Sequence, residues 1–381
     1  MKKLIITILF LSLSKLYASS WLRGEKITIQ SSKVGATLTD FPVMIDSSNV
    51  DLEIFTLAKS DGGDIRITTN NSAPDAGGIE VPVDIERFDT VNSVMIIWFK
   101  GSSISSTVDT DFWIWYDNSA ATLPLATAIY GSQNVWTGYD AVYHMKEQPT
   151  SNITDATGGT SLTPGGTMTT TDRVDGKVGF AIDFDGVDDH LSRGSAIIDN
   201  ASAYTISAWL KTSTTNNSKV VAEGKTSNFR PLTVFSVNEE SLNGMSFEQR
   251  DDALVSVFAD NSTVTMNDNT WHYAVGVQTN KSSREIFVDG ASRATDTATI
   301  GTLTAMNTFT IAAIERASVS NFFQGLIDEV RIKLGTLSSS WISTEYNNQN
   351  SPSTFVVESA PFDVNSPAVT PKKNRRRKVI Q

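Results

Sequence analysis

Residues 181–191, AIDFDGVDDHL, join the end of an apolar strand to a turn in which four aspartates surround one glycine. Phe184 is predicted to point into a hydrophobic core, and Asp185 and Gly186 are predicted to begin the turn after the strand. An aspartate side chain stabilises such a turn by accepting hydrogen bonds from backbone N–H groups two residues further on. The stretch therefore predicts two strands joined by a tight turn that gathers carboxylates.

Short segments with strand character surround this stretch on both sides. Apolar and polar residues alternate in YTISAWLK, so that Ile206, Ala208 and Leu210 share one face of a strand. The pair Asp289–Gly290, between REIFV and ASRAT, is a two-residue hairpin signal. Only SSSWISTEYNNQ, near residues 338–349, is predicted to be helical, with a serine as its N-cap. The pattern predicts an all-β fold with two β-sandwich domains.

The chain is predicted to divide into five parts. Its first residues include two lysines, then an apolar run, then small residues, which is the layout of a secretory signal peptide. Strand-like segments follow in two blocks, and the last residues are rich in proline and positive charge. The predicted parts are a signal peptide (1–20), a first β-sandwich (21–130), a linker (131–140), a second β-sandwich (141–358) and a disordered basic tail (359–381).

Composition and charge exclude several functions. The chain has a net charge of −11, and the body between the signal peptide and the basic tail is more acidic still, so it repels nucleic acid. The absence of cysteine excludes disulfides, cysteine-ligated zinc and thiol catalysis. No long apolar run follows the signal peptide, so no integral membrane segment is expected after signal cleavage. The sequence predicts a protein that is secreted, either extracellular or associated with the periplasm or cell envelope.

Five motifs of the second block resemble a known family. AIDFDGVDDHL, YTISAWLK, NTWHYAVGVQ, IFVDG and FQGLIDEVRI, in this order, look like the motifs of a laminin-G-like domain of the concanavalin A-like lectin/glucanase superfamily. The resemblance implies a jelly roll of two large antiparallel sheets over about residues 141–349. In the first block, DFPVMID, GGDIRIT and FWIWYDN are similar to a bacterial surface module of unknown function that often precedes such domains.

The resemblance also implies a metal site, because laminin-G-like domains often hold one calcium ion near the rim of the sandwich. Calcium takes six to eight oxygen ligands from carboxylates and carbonyls, which an aspartate-rich turn supplies. We predict Asp185, Asp188 and Asp328 as the calcium ligands, with Asp328 approaching the turn from another strand. Asp183 and Asp189 are predicted to be structural or to face solvent. The alternative is that the turn only shapes the chain and binds no ion.

Glycoside hydrolysis is disfavoured by the spacing of the acidic residues. Retaining glycosidases need two carboxylates about 5–5.5 Å apart, and on one strand face such a pair comes from alternate positions. Glu248 and Asp251 are three positions apart, and Asp328 and Glu329 are adjacent, so both pairs are predicted to lie on opposite strand faces. The sequence therefore predicts a protein that is not an enzyme and has no catalytic residues.

Aromatic side chains in loops are the candidates for ligand binding, because a ring stacks on the apolar face of a sugar. Phe229 in SNFRP and Phe322 in VSNFFQG are predicted to be exposed, whereas Phe323 is predicted to pack inward. Arg230 and Arg316 are predicted to bind acidic or hydroxyl-rich sugars nearby. Phe229, Arg230, Arg316 and Phe322 are thus the predicted ligand-binding residues.

The sequence as a whole predicts a secreted or envelope-associated binding protein. Loops of its second sandwich are predicted to recognise a glycan or a partner protein, assisted by calcium. Two alternatives stay open: a purely structural spacer or surface protein, and a divergent glycosidase or polysaccharide lyase. The tail sequence KKNRRRK is predicted to contact anionic surface polymer or lipid headgroups, an attraction screened over a Debye length of ~8 Å.

Overall fold

The computed structural model describes residues 19–239 and 242–365 of the chain. These residues form two β-sandwiches, which confirms the predicted fold class. The predicted signal peptide lies outside the described residues except for Ser19 and Ser20, and the basic tail lies outside them after Asn365. Within the described residues, no helix is long and apolar enough to cross a membrane.

The first sandwich packs two antiparallel sheets from the first third of the chain. Its elements are β1 (Arg23–Ile29), β2 (Leu38–Asp46), α1 (Ile54–Leu57), β3 (Arg66–Thr68), β4 (Glu80–Val81), β5 (Val83–Asp89), β6 (Val94–Ile104) and β7 (Thr110–Tyr116). One sheet has the order β1-β7-β3-β4, and the other has the order β2-β6-β5. Both sheets turn apolar side chains, such as Ile27, Val43 and Phe99, into a shared core.

The second sandwich is larger and packs an eight-stranded sheet against a seven-stranded sheet. Its strands are β8 (Ala141–Tyr143), β9 (Thr163–Gly165), β10 (Arg173–Asp175), β11 (Phe180–Asp185), β12 (His190–Arg193), β13 (Tyr204–Lys211), β14 (Ser218–Lys225), β15 (Asn228–Val237), β16 (Met245–Arg250), β17 (Ser256–Asp260), β18 (His272–Asn280), β19 (Ser283–Val288), β20 (Ala291–Asp296), β21 (Thr308–Ile311), β22 (Ile314–Glu315), β23 (Val319–Ser320) and β24 (Gln324–Lys333). The eight-stranded sheet has the order β10-β11-β24-β13-β18-β19-β20, with β8 beside β24. The seven-stranded sheet has the order β17-β16-β15-β14-β21-β12-β9.

The two sheets of the second sandwich enclose one hydrophobic core. Ile206, Ala208 and Leu210 of β13 all point into it, as the alternation of their segment predicts. Phe184 and Phe323 are also buried in this core, in agreement with the sequence analysis. The acidic turn therefore follows directly on a residue that is anchored in the core.

The end of the described chain returns to the first sandwich. It forms α2 (Ser339–Asn350), α3 (Pro352–Phe355), β25 (Val356–Glu358) and β26 (Phe362–Asp363), and both strands pair antiparallel with β1. Without them, β1 would expose an edge of unpaired N–H and C=O groups. Two predicted boundaries are therefore corrected. Residues 356–358 belong to a sheet of the first sandwich, and the segment predicted as a disordered tail from residue 359 contains the strand β26 (Phe362–Asp363).

Helix α2 lies between the two sandwiches, and its N-cap is Ser338, the first of the three serines that open the predicted helical segment. On one side, the side-chain amide of Asn348 accepts from the N–H of Met44 at 2.7 Å and donates to its C=O at 2.8 Å. On the other side, Trp209 of the eight-stranded sheet donates to the Gln349 side chain at 2.5 Å. The helix thus covers the outer face of the eight-stranded sheet and holds the first sandwich against it.

A buried arginine on β24 lies in this junction between the sandwiches. Arg331 is 1% exposed and donates to Glu329 at 2.5 Å and to Glu345 of α2 at 2.6 Å. Its guanidinium also stacks on Trp98 and Trp136, at 4.4 and 4.8 Å from the ring centroids. Trp136 belongs to the predicted linker, so the linker is packed into the junction.

A buried histidine follows β8 in the same junction. His144 Nδ1 lies 2.5 Å from a Glu329 oxygen and 3.5 Å from a Glu86 oxygen, while Nε2 lies 3.4 Å from an Asp84 oxygen. Burial favours the neutral imidazole, but the charges of Glu329 and Glu86 outweigh it and raise the pKa of His144 to about 10. Burial and the charge of Glu329 raise the pKa of Glu86 to about 8. Acidic groups therefore dominate the electrostatics of the junction.

A β-bulge in β24 places two acidic residues side by side in this junction. Arg331 pairs with Ser207 and Asp328 pairs with Trp209, so β24 has one residue more than β13 over this interval. Glu329 lies in this bulge, and its backbone φ is 51°. Burial and the charge of Glu329 raise the pKa of Asp328 well above its usual range. The prediction that Asp328 and Glu329 lie on opposite faces is wrong, because it assumed a regular strand.

We predict that the returning C-terminal segment stabilises the first sandwich. Phe355 is fully buried in the core of that sandwich, so Phe355→Ala is expected to lower the free energy of unfolding by about 3–5 kcal/mol. Val357 on β25 is 44% exposed, so Val357→Ala is the matched control, with an expected change of less than about 0.5 kcal/mol. Urea unfolding followed by tryptophan fluorescence measures both. Equal effects of the two substitutions would contradict this placement of the segment.

Candidate functional site

The acidic turn after β11 is built around Asp185. Its Oδ1 atom accepts hydrogen bonds from the backbone N–H groups of Val187 and Asp188, at 2.7 and 3.2 Å. Gly186 has a φ of +77°, a backbone conformation that favours glycine. Asp185 and Gly186 therefore form the turn that the sequence predicts.

Three carboxylates of this turn come close enough to share a cation. Asp185, Asp188 and Asp189 each offer one oxygen, and these oxygens lie within 4.8 Å of one another. Asp189 is 4% exposed, and its Oδ1 atom is buried with no hydrogen-bond partner among the described residues. Burial raises the pKa of Asp189. The structure thus brings two of the predicted ligands, Asp185 and Asp188, together with Asp189, which was predicted to be structural or to face solvent.

Asp328 does not belong to this turn, and its predicted role as a ligand there is corrected. Asp185 pairs with Gln324 across β11 and β24, so Asp328 lies further along β24. A strand rises about 3.3 Å per residue, which puts roughly 13 Å between the backbone positions of Gln324 and Asp328. The Asp328 side chain instead accepts a hydrogen bond from the N–H of Val178, at 2.8 Å, in the junction.

An open cleft of about 520 Å³ lies beside the acidic turn. Residues at the end of β11, after β13 and at the start of β24 form its walls. Its charged lining consists of four aspartates and one lysine: Asp172, Asp183, Asp185, Asp189 and Lys211. This surplus of carboxylates favours a cation over an anion in the cleft.

A second concavity, a groove of about 150 Å³, lies on the outer face of the seven-stranded sheet. Leu232 and Val234 of β15, together with Ile314 of β22, form an apolar patch within it. These side chains point away from the main core, which takes alternate residues of β15 such as Phe235. The charged residues that line the groove are Lys219, Glu239, Glu248, Arg250 and Arg316.

Two ion pairs occupy the walls of the groove. Lys219 pairs with Glu239, and Arg250 donates to Glu248 at 2.9 Å. None of these four residues is among the ligand-binding residues predicted from the sequence. Glu248 and Arg250 stand two positions apart on β16, so period-two spacing is a signal that places them on one face. Lys219 and Glu239 carry no such signal, because only the pairing of β14 with β15 brings them together.

Arg316, unlike Lys219 and Arg250, forms no ion pair with the described residues. Its guanidinium lies 5.1 Å from the ring centroid of Phe229, a side chain that is 59% exposed. The Nε atom is buried with no hydrogen-bond partner among the described residues, while Nη2 donates to Ser320 at 3.4 Å. Burial and the charge of Arg250 lower the pKa of Arg316. Phe229 and Arg316, both selected from the sequence, therefore lie together beside the groove.

The other two predicted ligand-binding residues, Arg230 and Phe322, do not take part in the contact between Phe229 and Arg316. Arg230 follows Phe229 on β15, is half-buried, and does not line the groove. Phe322 is half-buried, and its ring centroid lies 6.0 Å from that of His190, the residue after the acidic turn. The four predicted residues therefore do not form a single site, and Phe322 is less exposed than expected.

Comparison with known families identifies the second sandwich. The family model described as the concanavalin A-like lectin/glucanases superfamily matches residues 185–343. No curated protein sequence matches the chain.

Several solved structures are similar to part of this chain. Domain 4 of an extracellular arabinanase from Geobacillus stearothermophilus, in complex with arabinotriose, is 18% identical with a TM-score of 0.42, over 55% of this chain and 97% of that one. The binding domain of Paraclostridial Mosquitocidal Protein 1 is 12% identical with a TM-score of 0.45, over 55% of this chain and about half, 52%, of that one. The CBM40 of a Ruminococcus gnavus IT-sialidase, bound to alpha2,6 sialyllactose, is 14% identical with a TM-score of 0.33, over 38% and 83% of the two chains.

We predict that Asp185 stabilises the second sandwich even in the presence of a chelator. Asp185→Ala removes the acceptor of the Val187 and Asp188 N–H groups, so the free energy of unfolding is expected to fall by about 1–2 kcal/mol. Asp183→Ala is the control, because Asp183 is exposed two positions earlier on the same strand, and its effect should stay within about 0.5 kcal/mol. Differential scanning calorimetry in chelator compares them. A smaller loss for Asp185→Ala than for Asp183→Ala would rule out the turn-forming role.

Proposed function

Because residues 185–343 form a concanavalin A-like lectin/glucanase domain, we propose that the protein is a non-catalytic binding protein that recognises a glycan in the groove of its seven-stranded sheet. One observation carries the proposal. The guanidinium of Arg316, a lining residue of the groove, stacks on the exposed ring of Phe229. The pair offers a sugar an aromatic surface and hydrogen-bond donors at the same place.

The groove has the mixed chemistry that binding of a sugar requires. A pyranose has an apolar face and a rim of hydroxyl groups, so it needs apolar contact together with a few fixed polar partners. Leu232 and Val234 are buried beneath the groove, and the exposed ring of Phe229 beside it supplies apolar contact. The carboxylates of Glu239 and Glu248, held by their ion pairs, supply acceptors in fixed positions. Arg316 adds N–H groups that are not committed to a carboxylate of the described residues.

The position of the groove supports recognition of a ligand from outside the molecule. Helix α2 and the first sandwich cover the outer face of the eight-stranded sheet, as the Trp209–Gln349 hydrogen bond illustrates. The groove lies on the outer face of the other sheet, beside the exposed Phe229. A rigid sandwich that presents binding side chains at its surface is a common arrangement for recognition.

We further propose that calcium binds the acidic turn and orders the neighbouring wall of the groove. Asp185, Asp188 and Asp189 supply the oxygen ligands that calcium prefers. The segment between β23 and β24 connects the two places, because Asn321 lines the groove while Gln324 lines the cleft beside the turn. An ion at the turn would restrain this segment and so favour the binding-competent form of the groove.

Secretion and attachment to the cell envelope complete the proposal. Secretion rests on the predicted signal peptide, and attachment rests on the basic sequence KKNRRRK. Both lie outside the described residues, apart from Ser19 and Ser20. In this arrangement the tail contacts anionic polymer or lipid headgroups, while the groove meets its glycan or a glycan-bearing partner protein.

We predict that the groove accounts for glycan binding. Glycans that bind the wild-type protein on an array are then titrated calorimetrically, and Phe229→Ala and Arg316→Gln are each expected to raise the dissociation constant at least tenfold, or about 1.4 kcal/mol. Phe229 is exposed and Arg316 is half-buried, and neither side chain belongs to a hydrophobic core, so the fold should be retained. Leu254→Ala and Arg293→Gln are matched controls, since both residues are exposed and neither lines the groove. Wild-type protein that binds no glycan, or groove variants that bind like the controls, would refute the proposed function.

A separate prediction concerns calcium. Free calcium at a hundred times its dissociation constant should stabilise the protein by ~2.7 kcal/mol, because it binds the folded state alone. Thermal melts with calcium and with chelator measure this shift, and Asp188→Asn is expected to abolish it. Asp61→Asn is the control, because Asp61 forms a similar turn by accepting from Gly63 N–H at 2.8 Å without belonging to the acidic turn. An equal calcium shift in Asp188→Asn would exclude the turn as the site.

A further inference from the structure

A group of metal-binding side chains lies in the junction between the sandwiches, separate from the groove and from the acidic turn. Glu86 of β5, His144 after β8 and Glu329 of β24 each offer a donor atom, and the three atoms lie within 4.8 Å of one another. These residues are 7%, 1% and 1% exposed. Glu86 belongs to the first sandwich and Glu329 to the second, so the group bridges the two.

The distances within the group fit one small cation. His144 Nδ1 is 2.5 Å from a Glu329 oxygen and 3.5 Å from a Glu86 oxygen. Two donor atoms that bind one tetrahedral zinc ion at 2.0–2.1 Å are about 3.3 Å apart. The two observed distances lie on either side of this value, so small shifts of the carboxylates suffice to seat an ion.

Each donor is oriented by a neighbouring side chain. Trp98 Nε1 donates to Glu86 at 2.7 Å, and Arg331 donates to Glu329 at 2.5 Å. The Nε2 atom of the imidazole lies 3.4 Å from an Asp84 oxygen and makes no hydrogen bond to the described residues, while Nδ1 faces the Glu86 and Glu329 carboxylates. A histidine ligand whose second ring nitrogen faces a carboxylate is a recurrent arrangement in metal sites.

The junction contains more buried acidic groups than basic ones. The buried carboxyl groups are Asp84, Glu86, Asp328, Glu329 and Glu345, and the buried basic groups are Arg331 and His144. The Oε1 atom of Glu86 and the Oδ1 atom of Asp328 are buried with no hydrogen-bond partner among the described residues. Buried charges in proteins are paired or coordinate a metal. A divalent cation would give the Glu86 carboxylate, which keeps an unpartnered oxygen, a further partner.

We propose that Glu86, His144 and Glu329 bind one divalent transition-metal ion and that this ion ties the two sandwiches together. Imidazole with carboxylates suits zinc and its neighbours, whereas the all-oxygen acidic turn suits calcium. A cavity of about 180 Å³, lined by His144, Asp84 and Asp155 among others, reaches the imidazole and gives the ion a path of entry.

Zinc binding by the full chain tests the proposal. Protein treated with chelator is dialysed against zinc in excess calcium, and the retained zinc is measured by inductively coupled plasma mass spectrometry; we expect one zinc ion per chain. His144→Gln and Glu86→Gln are each expected to weaken zinc binding at least ~100-fold, because each removes a ligand. Asp61→Asn is the matched control, since Asp61 is an exposed carboxylate outside both proposed metal sites and its substitution should leave zinc binding unchanged. The visible spectrum of the cobalt(II) form gives a second readout of histidine coordination.

Two outcomes would overturn the proposal. Wild-type protein that retains no zinc shows that protons, rather than a metal, neutralise the junction. A folded His144→Gln variant that binds zinc like the wild type shows that the ion lies elsewhere. If this variant does not fold, Glu86→Gln and the wild-type cobalt spectrum decide by the same criteria. Either result leaves glycan binding by the groove intact, because that test uses surface variants on the other sheet.

Discussion

The buried charge of Arg331 is the constraint on which the arrangement of the two sandwiches depends. A guanidinium removed from water must be paired, and its partners here are Glu329 on its own strand and Glu345 on helix α2. The rings of Trp98 and Trp136 close the site from the first sandwich and the linker. Helix and first sandwich must therefore cover the same sheet face. Covering that face is what leaves the opposite sheet to carry the groove.

Features that depend on neighbouring residues could be predicted from the sequence. The two-residue period of β13 put Ile206, Ala208 and Leu210 on one face, which lies in the core, and the serines that open SSSWISTEYNNQ predicted a serine N-cap for α2. The Asp185–Gly186 turn followed from the preference of aspartate and glycine for such positions. Phe229 and Arg316 were selected one by one for their chemistry. Each of these conclusions uses only a few adjacent positions.

Features that depend on distant pairing could not be predicted in this way. One extra residue in β24 places the side chains of Asp328 and Glu329 in the same junction. A regular strand would place these two adjacent side chains on opposite faces. The contact of Phe229 with Arg316 joins residues from different strands, and nothing in either local segment distinguishes it from a pairing with Phe322. The junction itself combines side chains of both sandwiches, so no single motif contains it.

The pairing of β1 with the last strands of the described chain determines the order in which the protein can be completed. Arg23 on β1 meets Asp363 on β26 across 340 positions of sequence. Contacts of such separation form late in folding, and synthesis delivers the N-terminal end first. On the ribosome, β1 must wait for its second neighbour until residues 356–363 have been synthesised. During this interval the unpaired edge of β1 can pair with another chain. A chaperone that covers this edge would prevent such mispairing.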